Sequence, residues 1–502
     1  MTEAQSRIET SKPANGWLEP VADWVFAGRA GILVVAVAAF AAFAILLPVD
    51  TIFNDGDTYW HLATGQWILD HRAVPTTDPF SYTFAGAPWQ AHEWLSEVVM
   101  TLAYKAAGWN GLRVLVALAF GATAAILGAY LRRWLAPGPL LLLLGFALAC
   151  GAPSLLARPH ILALPVLAAW VVGLMSARDA GRAPSLWLLP LMAIWANLHG
   201  GFVLGLALIA PFALEALTET WRRPWPVIRS WGLFGVAALA MTLLTPHGVE
   251  GLIFPFKLMG MQSLPAIVEW RGADFSKMTV FEVAILEALF FCLWRGVKIP
   301  AIRLLLMLGL FHMALQHVRH QAVFALIAAL LLAEPLARAK LEAGAAAPRR
   351  SGDWGPVGPT LAALGLAILA AITIRLSVPT ERGDGIVSPV SALAKTPQDL
   401  RRAPVFNEYS FGGYLVFEGV QPFIDGRADM YGDDFVRAYE AATLARPAAL
   451  AATLDKHKIA WTILAAGNPA VATLDELPNW RRLWADKFAV VHVRRASSPA
   501  GP

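Results

Sequence analysis

Residues 54–62 read Asn-Asp-Gly-Asp-Thr-Tyr-Trp-His-Leu, and they follow directly on the first long apolar stretch of the chain, Gly31 to Val49. That stretch is close to the ~20 residues that a helix needs to cross a bilayer. Asp55 and Asp57 are therefore expected at the membrane surface, immediately after a first spanning helix. The following residues, 57–70, carry apolar side chains at helical spacing and predict a helix that lies in the interface.

The composition places the whole chain in the membrane. Of its 502 residues, 57% are hydrophobic and 15% charged, and the mean hydropathy is +0.54. Soluble globular proteins carry roughly 25% charged residues, so that class is excluded, as are disordered, collagen-like and coiled-coil chains. The net charge of +4 comes mainly from short loops between apolar runs, which indicates membrane orientation and no nucleic-acid partner. Cys150 and Cys292 lie inside apolar runs and are expected to be small core residues.

The apolar runs predict a polytopic α-helical membrane protein with about eleven transmembrane helices. The predicted spans lie near residues 30–49, 111–131, 139–157, 160–177, 185–198, 201–219, 231–246, 279–295, 301–316, 320–336 and 356–377. Residues 92–108 contain Glu93, Glu97 and Lys105, and a charge at the bilayer centre costs about 2.5–3.5 kcal/mol on insertion scales. We therefore expect this segment to be a second interfacial helix.

The positive charges then orient the chain. With 92–108 at the interface, the short loops rich in Lys and Arg all fall on one side, which the positive-inside rule makes cytoplasmic. These loops lie near residues 132–133, 178–182, 222–229, 295–303 and 338–350. The topology predicts a cytoplasmic segment 1–29 without a cleavable signal peptide. It also predicts a membrane domain 30–377 with a first outer loop 50–110, and a periplasmic α/β domain 378–502.

The same topology brings most of the unusual polar residues to the outer face. Eight of the eleven histidines fall there, together with acidic, amide and arginine residues from all along the chain. The candidate site residues are Asp55, Asp57, His61, His92, Glu93, Arg158, His160, Asn197, His199, Glu269, Arg271, Arg319 and His320. In the outer domain we expect strands near 404–407, 413–417, 422–425, 461–464 and 488–493 and helices near 434–445 and 447–457. Asp425, Arg427 and Asp429 are expected to be turn residues there that stabilise the domain, with contact to the membrane site as the alternative.

The sequence resembles the GT-C superfamily of membrane glycosyltransferases. The resemblance rests on the acidic motif of residues 54–62 behind the first span and on His92-Glu93-Trp94-Leu95. A bacterial polytopic branch of that superfamily resembles the chain more closely, through Ala-Arg-Pro-His at 157–160, Trp-Ala-Asn-Leu-His-Gly-Gly at 195–201 and Phe-Ile-Asp-Gly-Arg-Ala-Asp-Met-Tyr at 423–431. The resemblance implies transfer of a sugar from a polyprenyl-phosphate carrier, with the acidic motif binding a metal or acting as the base.

Such a reaction assigns roles by chemistry. Asp55 is the first candidate for the base that takes the acceptor proton, Asp57 the second, and Glu93 an alternative. A divalent cation, Mg²⁺ or Mn²⁺, would be held by Asp55 and Asp57 with Glu93, and His61, His92 and His199 are possible additional ligands. For the leaving phosphate the candidates are arginines with neighbouring histidines, since guanidinium groups bind phosphate through two hydrogen bonds. They are Arg158, Arg271, Arg319, His160 and His320.

Each of these assignments has a structural alternative. Asp55 and Asp57 could form only an Asx turn and cap the interfacial helix. Arg158 and Arg319 could lie at the interface with their charged ends in water, and Gly200-Gly201, beside Asn197 and His199, could be only a tight turn.

The function expected from the sequence is a glycosyltransferase of the outer face of a bacterial inner membrane. Its partners would be a polyprenyl-phosphate-linked donor, a lipid, glycan or protein acceptor, and membrane lipids. The alternatives are a non-catalytic scaffold with the same fold and a lipid-binding or transport protein. A transporter would place ionisable residues near the span centres, where this sequence has few apart from Glu215 and Glu287.

Overall fold

The computed structural model describes residues 29–264, 268–342, 357–444 and 446–495. The predicted cytoplasmic segment 1–29 lies outside these residues except for Arg29. Within them the chain is mostly helical, with one small sheet near its C-terminal end.

The first part of the chain is a bundle of helices. They are α1 (Arg29–Leu46), α2 (Asp57–His71), α3 (Trp94–Leu131), α4 (Pro137–Ala149), α5 (Pro159–Asp179), α6 (Leu189–Leu198), α7 (Phe202–Ala207), α8 (Ile209–Glu219), α9 (Trp225–Thr242), α10 (Gly248–Met259), α11 (Val280–Trp294), α12 (Ala301–Gln316), α13 (Gln321–Glu342) and α14 (Val357–Ser377).

Each predicted span contains one or two of these helices. Five helical stretches of the described chain are long and apolar enough to cross a membrane: Trp94–Leu131, Pro159–Asp179, Phe202–Glu219, Val318–Lys340 and Gly358–Ser377. Four shorter apolar helices accompany them, so the chain is a membrane protein, while the count of eleven crossings stays a prediction. The predicted span 139–157 was too long, since α4 ends at Ala149. Helix α10 was not predicted.

Helix α3 is broken where the sequence predicts a change from interface to membrane. Ala107 has φ −153° and Gly108 has φ +57° and ψ −146°, so neither continues a helix. A positive φ favours glycine, which has no Cβ to clash with the backbone. The break divides the charged half of α3, which begins at Trp94, from its apolar half.

A buried arginine joins α1 to α3. Arg113 is fully buried and donates from Nη1 to the carbonyl oxygens of Leu47 and Val49, at 3.1 Å each, while Nη2 pairs with Asp50. These carbonyls follow the end of α1, where a cation is favourable. The contacts fix the point at which the chain leaves the bundle and begins the acidic motif. We call this end of the bundle the site end.

The main core of the bundle lies between α5, α6, α8, α9 and α13. Its largest buried side chains include Trp170, Phe212 and Phe234, and the Trp170 and Phe234 rings stack at 5.6 Å. Packing at this density fixes the helix ends that carry the polar residues.

The C-terminal part forms a four-stranded sheet with short helices. Its helices are α15 (Val390–Lys395), α16 (Gln398–Arg401), α17 (Gly412–Phe417), α18 (Ala428–Thr443), α19 (Pro447–Lys456) and α20 (Pro469–Glu476). Its strands are β1 (Val405–Asn407), β2 (Trp461–Ala465), β3 (Trp480–Ala485) and β4 (Ala489–Arg494). The strand order is β1-β2-β4-β3, with β1 and β2 parallel and the other pairs antiparallel.

Five predictions for this part are confirmed, among them the helices near 434–445 and 447–457, and two are wrong. Strands occur at 405–407, 461–465 and 489–494 as expected. Residues 413–417 form helix α17, because this apolar segment packs on α2, and residues 422–425 form no ladder. Strand β3 was not predicted.

The two parts of the chain share one aromatic core. Tyr59 of α2 lies against Trp109 of α3 at 5.2 Å and against Tyr414 of α17 at 5.3 Å, measured between ring centroids. The Tyr82 hydroxyl also donates to the carbonyl oxygen of Val405 at 2.8 Å. The first long loop is thus enclosed between the helix bundle and the sheet.

Candidate functional site

The acidic motif forms a compact turn at the start of α2. The Asp57 backbone N–H donates to Asp55 Oδ1 at 3.1 Å, which is the expected Asx turn, and Trp60 Nε1 donates to Asp57 Oδ1 at 3.0 Å. The cap position itself is Gly56, which has no side-chain oxygen to offer. The turn therefore leaves one oxygen of each aspartate, Oδ2, directed at another partner.

That partner is Arg158. Its guanidinium pairs with Asp55 Oδ2 and Asp57 Oδ2, and its Nη1 donates to Glu269 Oε2 at 2.5 Å. Two hydrogen bonds place it there, from Thr58 Oγ1 to the Ala157 carbonyl oxygen at 3.0 Å and from the Ala157 backbone N–H to the Ile52 carbonyl oxygen at 2.7 Å. Arg158 has 14% of its side chain exposed, so it is not a surface arginine extended into water.

Glu269 joins Arg158 to a second arginine. Arg319 Nη1 lies 3.4 Å from Glu269 Oε1, and its guanidinium stacks over the Trp270 ring at 4.4 Å. Although burial opposes it, the attraction of Arg158 and Arg319 lowers the pKa of Glu269 to about 2. The result is a pair of guanidinium groups held by an ionised carboxylate.

A second cluster, around Glu93, carries little charge. The Nε2 atoms of His199, His92 and His61 lie 3.5, 3.7 and 3.8 Å from its carboxylate oxygens. Burial raises the pKa of Glu93 to about 8, with Asp429 and Glu269 adding to the rise and Arg319 opposing it. Burial also lowers the pKa of His92 to about 4 and lowers the pKa of His61 and His199. At neutral pH these groups are uncharged.

Two contacts orient the histidines of this cluster. The Gly201 backbone N–H donates to His199 Nδ1 at 2.9 Å, so the proton of this neutral ring is on Nε2, which faces Glu93. His61 Nδ1 lies 3.1 Å from Glu97 Oε1 on the next turn of α3, and both side chains are buried.

The remaining predicted residues have different surroundings. Asn197 accepts from Trp94 Nε1 at 2.7 Å and donates to the carbonyl oxygens of Ala193 and Leu244, so it positions helix ends. His160 Nε2 lies 2.6 Å from the Ser154 carbonyl oxygen.

His320 and Arg271, which were also predicted to bind the phosphate, lie in different surroundings. The His320 ring lies 6.3 Å from the Trp270 ring, beside Arg319. Arg271 has an exposed side chain, and its carbonyl oxygen accepts from the Val318 backbone N–H. The structure thus groups Arg158 and Arg319, and not Arg271, around Glu269.

The carboxylates do not fit the divalent cation that the sequence suggests. Both Asp55 and Asp57 direct Oδ2 at Arg158, so a guanidinium stands where a cation would lie, and their Oδ1 atoms already accept N–H donors. Among the residues that the structure describes, no three His, Cys, Asp or Glu side chains are arranged to bind a metal ion.

The C-terminal part contributes residues that sequence reasoning missed or set aside. A Cβ on Gly426 would lie 1.7 Å from Asp57 Oδ1, and one on Gly413 would lie 2.0 Å from the Gly56 carbonyl oxygen, so both segments touch the acidic motif. The Tyr409 hydroxyl oxygen is buried and has no hydrogen-bond partner among the described residues. The charge of Asp429 contributes to the raised pKa of both Glu93 and Tyr409. The segment 423–431, quoted for the family resemblance, was the available signal.

Arg427 anchors this segment. It is 1% exposed and donates to Asp425 Oδ1 at 2.8 Å and to Asp78 Oδ1 of the first loop at 2.6 Å. Its guanidinium also lies over the Trp89 ring at 4.7 Å. Asp425 and Arg427 are thus structural, as expected from the sequence.

An apolar groove runs along the bundle. It lies between α4, α11, α12 and α13 and has a volume of about 820 Å³, with Phe146, Phe281, Phe311 and Phe324 among its lining residues. Phe324 stands four residues after His320, about 6 Å along the helix. Arg295 and Lys340 line the opposite end of the groove. Leu289 and Leu293 of α11 are exposed, so this apolar surface is not covered by other described parts of the chain.

No protein-family model matches the chain, and no curated protein sequence does. Solved structures do match. The archaeal oligosaccharyltransferase AglB from Archaeoglobus fulgidus, in complex with an inhibitory peptide and a dolichol-phosphate, superposes with a TM-score of 0.57 at 10% identity, covering 86% of this chain and 69% of that one. The oligosaccharyltransferase of the same organism tethered to an acceptor peptide gives 0.55 at 11% identity, covering 88% and 70%.

A bacterial structure is also similar. ArnT from Cupriavidus metallidurans bound to undecaprenyl phosphate superposes with a TM-score of 0.48 at 15% identity, covering 94% of this chain and 99% of that one. The archaeal superpositions cover 86% and 88% of this chain, so the chain shares the fold of the archaeal oligosaccharyltransferase.

Proposed function

We propose that this protein transfers a sugar from a polyprenyl-phosphate-linked donor to a hydroxyl group of a lipid, glycan or protein acceptor at the outer face of a bacterial inner membrane. One observation carries the proposal. Arg158 and Arg319 converge on Glu269 beside the acidic motif, and Phe324, five residues after Arg319, lines an apolar groove of the bundle. A phosphate with a long isoprenoid chain has the charge and shape for this combination.

The two arginines are suited to the phosphate end of the donor. Guanidinium groups stay charged and bind phosphate through two parallel hydrogen bonds. Asp55 and Asp57 pair with Arg158 and hold it in place. The Trp270 ring stacks against the guanidinium of Arg319 and fixes its position. When the sugar leaves the phosphate, negative charge grows on the phosphate oxygens, and prepositioned cations stabilise that charge.

The apolar groove is suited to the isoprenoid chain. It is open along α11, so a lipid could enter sideways from the bilayer without leaving the hydrocarbon region. The similar archaeal structure was determined with a dolichol-phosphate, which supports a lipid-linked donor for this fold. The proposal includes eleven crossings, a cytoplasmic N-terminus and a periplasmic C-terminal domain.

The test is transfer by the purified full-length protein in lipid nanodiscs. A polyprenyl-phosphate sugar with a labelled sugar is incubated with a membrane and cell-wall extract as acceptor. We expect Arg158→Gln to reduce the rate about 10²–10³-fold, as the loss of one charge-stabilising group does in other enzymes. Arg437→Gln is the matched control, because Arg437 is half exposed on the C-terminal domain. Wild-type rates in both Arg158→Gln and Arg319→Gln would overturn the proposal.

A lipid-binding role without transfer is the second candidate. It is favoured by the occupation of both Asp55 and Asp57 by Arg158, which leaves neither free to act as a base. Binding of polyprenyl phosphate with no transfer of label to any acceptor would support it over the first.

A further inference from the structure

The proposed reaction needs a base, and most carboxylates of the site are already engaged. Asp55, Asp57 and Glu269 are paired with arginines. Asp429 differs from them, since it forms no ion pair and accepts no side-chain hydrogen bond among the described residues. It is partly buried, in the first turn of α18.

The backbone holds Asp429 over the acidic motif. Gly426, three residues earlier, lies directly against Asp57 and within 2.9 Å of Trp60 Nε1 when a Cβ is added. Arg427 fastens the same segment to Asp78 of the first loop. Met430, the next residue, packs against the cluster of Trp60 and Trp89. These contacts on both sides leave the position of Asp429 little freedom.

We propose that Asp429 is the general base that takes the proton from the acceptor hydroxyl, so that the C-terminal domain completes the active site. This inference rests on the proposed function. The acceptor oxygen forms a bond to C1 of the sugar as the bond from C1 to the phosphate oxygen breaks. The bonding electrons leave with the phosphate, which Arg158 and Arg319 hold, and the hydroxyl proton passes to the Asp429 carboxylate.

The protonation of the neighbouring groups supports this assignment. Burial raises the pKa of Asp429 to about 6, against the attraction of Arg427 and with a small contribution from Asp425. It is therefore ionised at neutral pH but a stronger base than an ordinary aspartate. Glu93, with a pKa of about 8, is protonated under the same conditions, and Glu269, with a pKa of about 2, is too weak a base. Burial raises the pKa of Asp55 to about 6 as well, but Arg158 occupies its Oδ2 atom, which leaves Asp429 as the base without an ion pair.

Tyr409 is a second buried group of the site on which the charge of Asp429 acts. Burial raises its pKa, and its hydroxyl stays neutral with no partner in the described chain. A buried hydroxyl without a partner is costly, which points to a ligand that supplies one. An acceptor hydroxyl between Asp429 and Tyr409 would do so.

The experiment compares Asp429→Asn, Asp429→Glu and Asp434→Asn in the nanodisc transfer assay. Asp434 is the control because it lies five residues after Asp429 and is fully exposed. We expect Asp429→Asn to reduce kcat about 10²–10⁴-fold with an unchanged KM for the donor, and Asp429→Glu to recover part of the rate. The wild-type rate should rise with pH through about 6, and that rise should be absent in Asp429→Asn.

The outcomes separate this inference from the proposed function. Wild-type kcat and pH profile in Asp429→Asn, together with an inactive Arg158→Gln, would refute the role of Asp429 alone. A raised donor KM with unchanged kcat would also refute it, because it would show a structural effect. A wild-type protein that transfers no sugar would refute the proposed function and this inference with it.

Discussion

Arg158 changes the chemical roles that its neighbours Asp55 and Asp57 can have. From the sequence, Asp55 and Asp57 were candidates for a base or for metal ligands. In the structure one guanidinium pairs with both of them and with Glu269. Burial raises the pKa of Asp55 to about 6, but Arg158 occupies the Oδ2 atom that would take a proton. The role of base therefore moves to a carboxylate that no arginine neutralises.

Glu93 gives a prediction at this scale that does not depend on activity. Its pKa rises from 4.5 to about 8 on folding, so stability is lost progressively as the pH rises from about 4.5 to 8 and the loss then levels off. Glu93→Gln mimics the protonated acid and removes this loss. We expect its thermal unfolding midpoint to exceed that of wild type by a margin that grows between pH 5 and pH 8.

The measurement is thermal unfolding in detergent from pH 5 to pH 9. The histidines titrate in both proteins, so the difference isolates Glu93. Glu476→Gln, at an exposed position, is the control and should show no such margin. A margin for Glu93→Gln that shrinks with rising pH would contradict the prediction.

At the scale of elements, the sequence patterns predicted where the helices lie but not which elements pack against each other. The apolar runs predicted helices in all eleven predicted spans, and the charges of Glu93, Glu97 and Lys105 predicted the break in α3. Residues 413–417 looked like a strand because Tyr, Val and Phe favour strands, but packing on α2 makes them helix α17. Burial against α2 outweighs the local preference of residues 413–417 for a strand. Helix α2 lies about 350 residues earlier in the chain, so residues 413–417 alone do not reveal this contact.

The contact between the segment before α18 and the acidic motif gives a sharp prediction. A methyl group at Gly426 would overlap Asp57 Oδ1, which accepts from Trp60 Nε1, while Arg158 holds the other oxygen of Asp57. We expect Gly426→Ala to lower the transfer rate at least tenfold and to destabilise the protein by about 1–3 kcal/mol, as overpacking does. Gly467→Ala is the control, since a Cβ there meets no atom within 4 Å. Equal rates for the two variants, measured in the same assay, would be inconsistent with the close approach.

At the scale of the molecule, the site lies where two parts of the chain meet. The sequence placed Asp55, Glu93, Arg158 and Arg319 on one face through topology alone, since loops on the same side of a membrane must be neighbours. Asp429 and Tyr409 could not be placed in this way. A soluble domain can pack on the membrane part in many orientations, and nothing in residue spacing selects one.

The Arg427 contact gives a prediction for the joint between the two parts. Arg427 is buried with two buried carboxylates, Asp78 and Asp425. Removing it in Arg427→Met leaves these charges unpaired, which costs about 3–5 kcal/mol. Arg482→Met breaks an exposed pair with Asp475 and should cost less than about 1 kcal/mol. Thermal unfolding and protease cleavage of the C-terminal domain measure both, and similar losses would show that Arg427 is not the anchor.

The topology of the whole molecule predicts that the site lies on the outer side of the membrane. Ala73 follows α2, Ala472 is in the C-terminal domain, and Ala180 follows α5, and all three are exposed. In a chain without Cys150 and Cys292, we expect an impermeant maleimide to label Ala73→Cys and Ala472→Cys in intact spheroplasts and Ala180→Cys only after lysis. Because α2 packs on the C-terminal part, Ala73 and Ala472 must share one side whatever the orientation. Labelling of those two from opposite sides would refute the joint site, whereas labelling of Ala180 alone would refute only its outer placement.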